Sequence, residues 1–175
     1  MDKLDKCSLG AIIGLAVWTL ILVVAEVQRP PDPRAAEATK ATISRRFLDP
    51  DFDKKIKLAK DLLVNGNVAK ADQLISGMVQ AYPYEGMVHM LKGDVALHRQ
   101  IPIQAMLSYR EAVDLNPDYL DKKSDEFQGK KIKMIVEEAR EAIDTGLVQQ
   151  PGNQELQENR KVIFYMLRKI AGSCG

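Results

Sequence analysis

Three prolines, Pro83, Pro117 and Pro151, stand 34 residues apart. Proline has no backbone N–H and clashes with the preceding helical turn, so it does not sit inside a helix. A regular proline period therefore marks a regular series of helix ends. Other positions keep the same period. Ala71, Ala105 and Ala139 lie twelve residues before the prolines; Ile75, Tyr109 and Ile143 lie eight before; Met78, Ala112 and Gly146 lie five before. A repeat of this length describes a unit that cannot bury its apolar face alone and must stack on its neighbours. Small residues allow paired helices to approach closely, the bulky one fills the gap between units, and proline ends the second helix.

This combination of small, bulky, small and proline resembles the tetratricopeptide repeat family. The middle unit, 86–117, carries it best, with Gly93, Ala105, Tyr109, Ala112 and Pro117 at the family's positions for those residue types. Its helices are expected at 86–99 and 102–115. Gln100 stands where the family favours glycine in the tight turn, and His89 stands where a bulky apolar residue is usual. The first unit, 52–83, keeps Ala59, Leu62, Gly66 and Ala71 but has Met78 for the second small residue. The third, 120–151, is degenerate, with Phe127 in place of a small residue and Met134 in place of the turn glycine. There the apolar pattern Ile132, Ile135, Val136, Ala139, Ile143, Leu147 reads instead as one long helix over 130–149. Val162, Ile163, Met166, Leu167 and Ile170 give 154–171 an apolar side, as expected of a helix closing the end of a stack.

The resemblance implies a right-handed stack of helix pairs that binds protein without catalysis, the first helix of each pair lining the concave side. Mapped onto this chain, the groove is lined by Ile56, Lys60, Leu63, Met87, Met90, Asp94, Leu97 and His98. Methionine and leucine suit an apolar helix or an extended peptide, because they adapt to irregular surfaces. The bland alternative is that some of them pack against the third unit or the segment 35–48. Some family members clamp a peptide carboxylate with lysine and asparagines. Asp94 occupies an asparagine position of that pattern, which disfavours a carboxylate-ended peptide.

Before the repeats, 19 consecutive residues from Cys7 to Ala25 carry no charge, bracketed by Lys3 and Lys6 on one side and Glu26 and Arg29 on the other. As a helix this run is about 28 Å long, close to the hydrocarbon core of a bilayer. It reads as a single transmembrane helix over 7–26, following a short polar start at 1–6. The alternative is a cleaved signal peptide with Val23 and Ala25 at the cleavage positions. Gly10 and Gly14 form a G-x-x-x-G pair that allows a second helix to approach, though glycine is also simply frequent in such helices. Lysine and arginine are nearly balanced across the span, so the side of the membrane is left open. The expected location is a membrane, taken as a bacterial inner membrane. Pro30, Pro31 and Pro33 make a stiff spacer within the linker 27–50, and 35–48 reads as a short helix.

Little in the chain points to chemistry. Net charge is +1 and aromatics are 6% of residues, which argues against a nucleic-acid partner. Cys7 and Cys174 lie at opposite ends, so no disulfide framework or cysteine zinc site is expected. No G-x-S-x-G, P-loop or H-E-x-x-H occurs. His89 and His98 are nine apart, which is not a one-turn pair for a metal. Glu137, Glu138 and Glu141 beside Lys133 and Arg140 read as a solvated face. The expectation is an all-α chain: a transmembrane helix, about three helix pairs over 51–151 and a capping helix in 152–175. It has no cofactor or metal and holds a protein partner of a membrane-associated complex. The alternative is a structural accessory subunit held mainly through its membrane helix.

Overall fold

In the computed structural model, residues 51–173 are described, and among them are six α-helices, one 3-10 turn and no strand. They belong to one compact unit, Ala41–Gly175. The transmembrane, spacer and 35–48 expectations, Gly10 and Gly14 among them, lie outside the described residues. Within these residues no helix is long and apolar enough to cross a membrane.

The first two helices, α1 (Phe52–Val64) and α2 (Val68–Ala81), are joined by three residues. The next two, α3 (Gly86–His98) and α4 (Pro102–Leu115), repeat that arrangement one period later. The turns correspond bond for bond. Gly66 N–H donates to Leu63 O and Asn67 N–H to Leu62 O; 34 residues on, Gln100 N–H donates to Leu97 O and Ile101 N–H to Ala96 O. Each turn closes through one left-handed residue, Gly66 at φ 72° and Gln100 at φ 59°. These are the paired carbonyl-satisfying bonds of a Schellman end, which favours glycine. Pro102 starts α4, where the missing N–H has no helical partner to lose.

The third unit departs from the period. Pro83, Pro117 and Pro151 each follow the residue that caps the C-terminus of a helix, namely Tyr82, Asn116 and Gln150. The first helix of the 120–151 unit, however, is missing. After a 3-10 turn at Pro117–Tyr119 the chain runs as loop to residue 128, then as one 21-residue helix, α5 (Gly129–Gln149). That helix has the span expected of the long apolar pattern. The last helix, α6 (Gln154–Gly172), packs on α5 and also touches α4. The third pair is therefore α5 with α6, not 120–151 followed by a separate cap. Asn153 caps α6, its side-chain oxygen accepting from Leu156 N–H at 3.1 Å.

Each helix packs on its neighbours in sequence, and α1 also packs on α3 and α4 on α6. This solenoid-like order makes two cores. One joins α1, α2 and the α3 residues Val88, Leu91 and Val95; the other joins α3 to α6 through Met90, Ala96, Tyr109, Ile135, Ile143 and Met166. Helix α3 sits between them, and its buried residues fall on nearly every face. Its exposed residues are Lys92 and His98, whereas α5 and α6 at the end of the stack each bury one stripe.

Candidate functional site

A concavity of about 400 Å³ opens between α1, α3 and the start of α5. Lys60, Leu63 and Val64 come from α1, Leu91, Asp94, Leu97 and His98 from α3, and Lys131 from α5. Five of the eight residues expected in a groove are here: Lys60, Leu63, Asp94, Leu97 and His98. The surface is chiefly apolar with cations at its edge. Val64 is 86% exposed, unusually open for a side chain of its kind.

The other three expected residues are elsewhere. Met90 is 2% exposed and belongs to the core of α3 to α6, so its place in the groove is corrected: the helix that carries it is covered on both sides. Ile56 and Met87 line a different cleft, about 380 Å³, beside the start of α1.

Asp94 also has a different task from the one its position suggests. Its Oδ1 accepts from the Tyr109 hydroxyl at 2.6 Å and from Lys131 Nζ at 2.8 Å. Lys131 Nζ in turn lies 5.4 Å from the centre of the Tyr109 ring, within cation–π range. Tyr109 is fully buried, and burial first, then the neighbouring Asp94 charge and hydrogen bond, holds its phenol well above the ordinary range. The carboxylate is thus matched by a cation and a neutral hydroxyl, and the trio ties α3, α4 and α5 together at the floor of the concavity. A charge-assisted hydrogen bond of this kind contributes about 1.5–3 kcal/mol. The ring itself packs on Gly93, where a Cβ would meet Tyr109 Cε1 at 2.3 Å.

Lys131 was not among the expected residues. It belongs to the unit whose repeat register fails, and its partner Asp94 is 37 positions away. No local spacing signals such a pair.

The histidines divide as their positions suggest. His98 faces the concavity and is exposed. His89 is half-buried, its Nε2 placed 2.8 Å from Pro83 O, where an Nε2–H donates to the carbonyl and holds the turn between α2 and α3. Among the described residues no three His, Cys, Asp or Glu side chains gather as metal ligands would. Arg140 lies 3.8 Å from Glu137 and 3.7 Å from Asp144, an exposed network of small energetic weight.

Comparison with protein-family models, with curated proteins and with solved structures finds no match to this chain.

Proposed function

We propose that this chain is a membrane-anchored helical-repeat adaptor of the tetratricopeptide kind, which holds a segment of a protein partner in the concavity between α1, α3 and α5. It supports assembly of a membrane-associated complex and catalyses nothing. The observation that carries this reading is the juxtaposition of the open side chains of Val64 and Leu97 above the buried Leu63 and Leu91, rimmed by Lys60, His98 and Lys131. An apolar floor with a polar rim is the usual anatomy of a protein-binding patch. The cavity is shallow, which suits one or two apolar side chains of a helix or extended strand. The 19-residue uncharged run supports the anchor, and the proline spacer supports a domain held off the bilayer.

The test is purification of the full-length chain in mild detergent, followed by mass spectrometry. Wild type is compared with Leu97→Glu combined with Val64→Glu. Both side chains are at least partly exposed, so circular dichroism should be unchanged while a partner retained by wild type is lost. Retention of the same partner at the same stoichiometry by the variant moves the contact to the membrane helix. The chain is then a structural subunit and not an adaptor.

A further inference from the structure

Tyrosines aside, the buried polar side chains among the described residues are Ser108 and Asn159, at 6% and 8% exposure. Buried polar groups are almost always hydrogen-bonded. Neither of these side chains bonds to another described residue. Each lines a surface cleft instead. Asn159 lines one of about 440 Å³ between α4 and the start of α6. Ser108 lines another of about 380 Å³ between α3 and α4. The two clefts share Gln104 and Leu107 and so make one surface across α4. This surface is separate from the concavity, which α1, α3 and α5 line.

Neither local structure nor packing calls for asparagine at residue 159. Inside a helix it is a poor former, because its side chain competes for backbone hydrogen bonds. Asn153, in the same cleft, is by contrast engaged: it caps α6 and donates to Gln150. The free carboxamide of Asn159 offers an acceptor and two donors. A peptide group is its complement, with one N–H and one C=O. The partly buried Ile103, Leu107 and Leu156 beside it suit an apolar side chain. Charge gives the surface a direction. Glu155 in the Asn159 cleft and Lys92 in the Ser108 cleft are exposed and in no ion pair with a described residue. Arg110 and Glu111 in the Ser108 cleft pair with each other.

We propose that this surface binds an extended peptide segment of a partner protein. Asn159 pairs with one of its main-chain amides, and the Ser108 hydroxyl donates to a main-chain carbonyl further along. An apolar side chain of the segment lies on Ile103, Leu107 and Leu156. A basic residue lies toward Glu155 and an acidic one toward Lys92. The site stands whether or not the concavity holds a partner.

The experiment uses the full-length chain in detergent micelles and an array of random peptides of about nine residues, roughly 30 Å when extended. Wild type is compared with Asn159→Leu, which keeps the volume and removes the hydrogen-bonding atoms, and with the concavity variant Leu97→Glu combined with Val64→Glu. Peptides held by wild type and by the concavity variant should bind Asn159→Leu about tenfold more weakly or worse by fluorescence anisotropy. Replacing the paired amide of such a peptide by an ester, which removes the N–H, should weaken binding to wild type about fivefold and leave binding to Asn159→Leu unchanged. Asn159 has no bond in the fold to lose, so the melting temperature of Asn159→Leu should equal or exceed that of wild type. A lower melting temperature means that the carboxamide is bonded within the fold and overturns the proposal. An array with no peptide that depends on Asn159 overturns it, as does an ester penalty at every position that persists in Asn159→Leu.

Discussion

Replacing Gly93 by alanine sets two effects of known sign against each other. In an ordinary helix interior the change stabilises by about 1 kcal/mol, because alanine loses less backbone freedom on folding. Here the added methyl carbon falls 2.3 Å from Tyr109 Cε1, 2.4 Å from Cδ1 and 3.0 Å from Cζ. The ring has no exposed direction in which to move. It is fully buried, and its hydroxyl is held by Asp94, the residue next to Gly93. Relief requires the ring to shift, which strains the Asp94 hydrogen bond, or the two helices to part. Overpacking of a tight core costs about 1–3 kcal/mol, and a weakened charge-assisted bond adds about 1.5 kcal/mol or more. The overlap wins, and a net destabilisation of about 2–3 kcal/mol is expected.

Urea unfolding of residues 41–175, followed by circular dichroism, measures it. Gly77→Ala is the matched control: it is also mid-helix, in α2, and a Cβ there meets nothing within 4 Å. That variant should gain about 1 kcal/mol. The cycle closes with Tyr109→Leu. Alone it loses the ring and the hydroxyl and should cost about 2–4 kcal/mol. Combined with Gly93→Ala, part of that loss should return, giving a coupling energy of about 1 kcal/mol or more between the two sites. If Gly93→Ala and Gly77→Ala stabilise equally, the close approach of α3 to the Tyr109 ring is not what requires glycine at residue 93.

Two further predictions rest on the same interfaces. Gln100 adopts φ 59°, where a side chain costs about 1–2 kcal/mol; allowing for the freer unfolded glycine chain, Gln100→Gly should raise stability by up to about 1 kcal/mol by urea unfolding. The raised Tyr109 phenol makes stability fall in alkali: below the unfolded value near 10 both states keep the proton, and above it the unfolded chain loses the proton first. Unfolding at successive pH values above 10 should therefore show wild type losing about 1.4 kcal/mol per pH unit more than Tyr109→Phe, whereas equal slopes would mean that the phenol ionises freely in the fold.

How much of this was readable without coordinates depends on the range of the interaction. Helix ends are local: Pro83, Pro117 and Pro151 each follow the C-cap residue of a helix, and the long helix α5 lies where its apolar period places it. The turn at Gln100 was readable in shape, since the position answers to Gly66 one period earlier. The pairing of α5 with α6 was not. Once residues 120–128 become loop, nothing local states which helix the next one packs on, and the apolar stripes of α5 and α6 fit each other as well as a separate cap.

The groove follows the same rule one level higher. Mapping repeat positions onto surfaces assumes that every first helix has one covered and one open face. For α1 that holds at Lys60. For α3 it fails at Met90, because the helix lies between two cores and its inward and outward sides are both in contact. Asp94 shows the electrostatic counterpart. Read by position, it is a carboxylate placed to repel an acidic ligand. Read in the fold, Lys131 lies 2.8 Å away and Tyr109 donates to the same oxygen. Two mostly buried charges at that distance largely cancel beyond a few ångströms of solvent, so the concavity presents the Lys60 charge more than that of Asp94. Of the apolar side chains that line the concavity, Val64 and Leu97 are open to solvent, whereas Leu63 and Leu91 are covered as Met90 is.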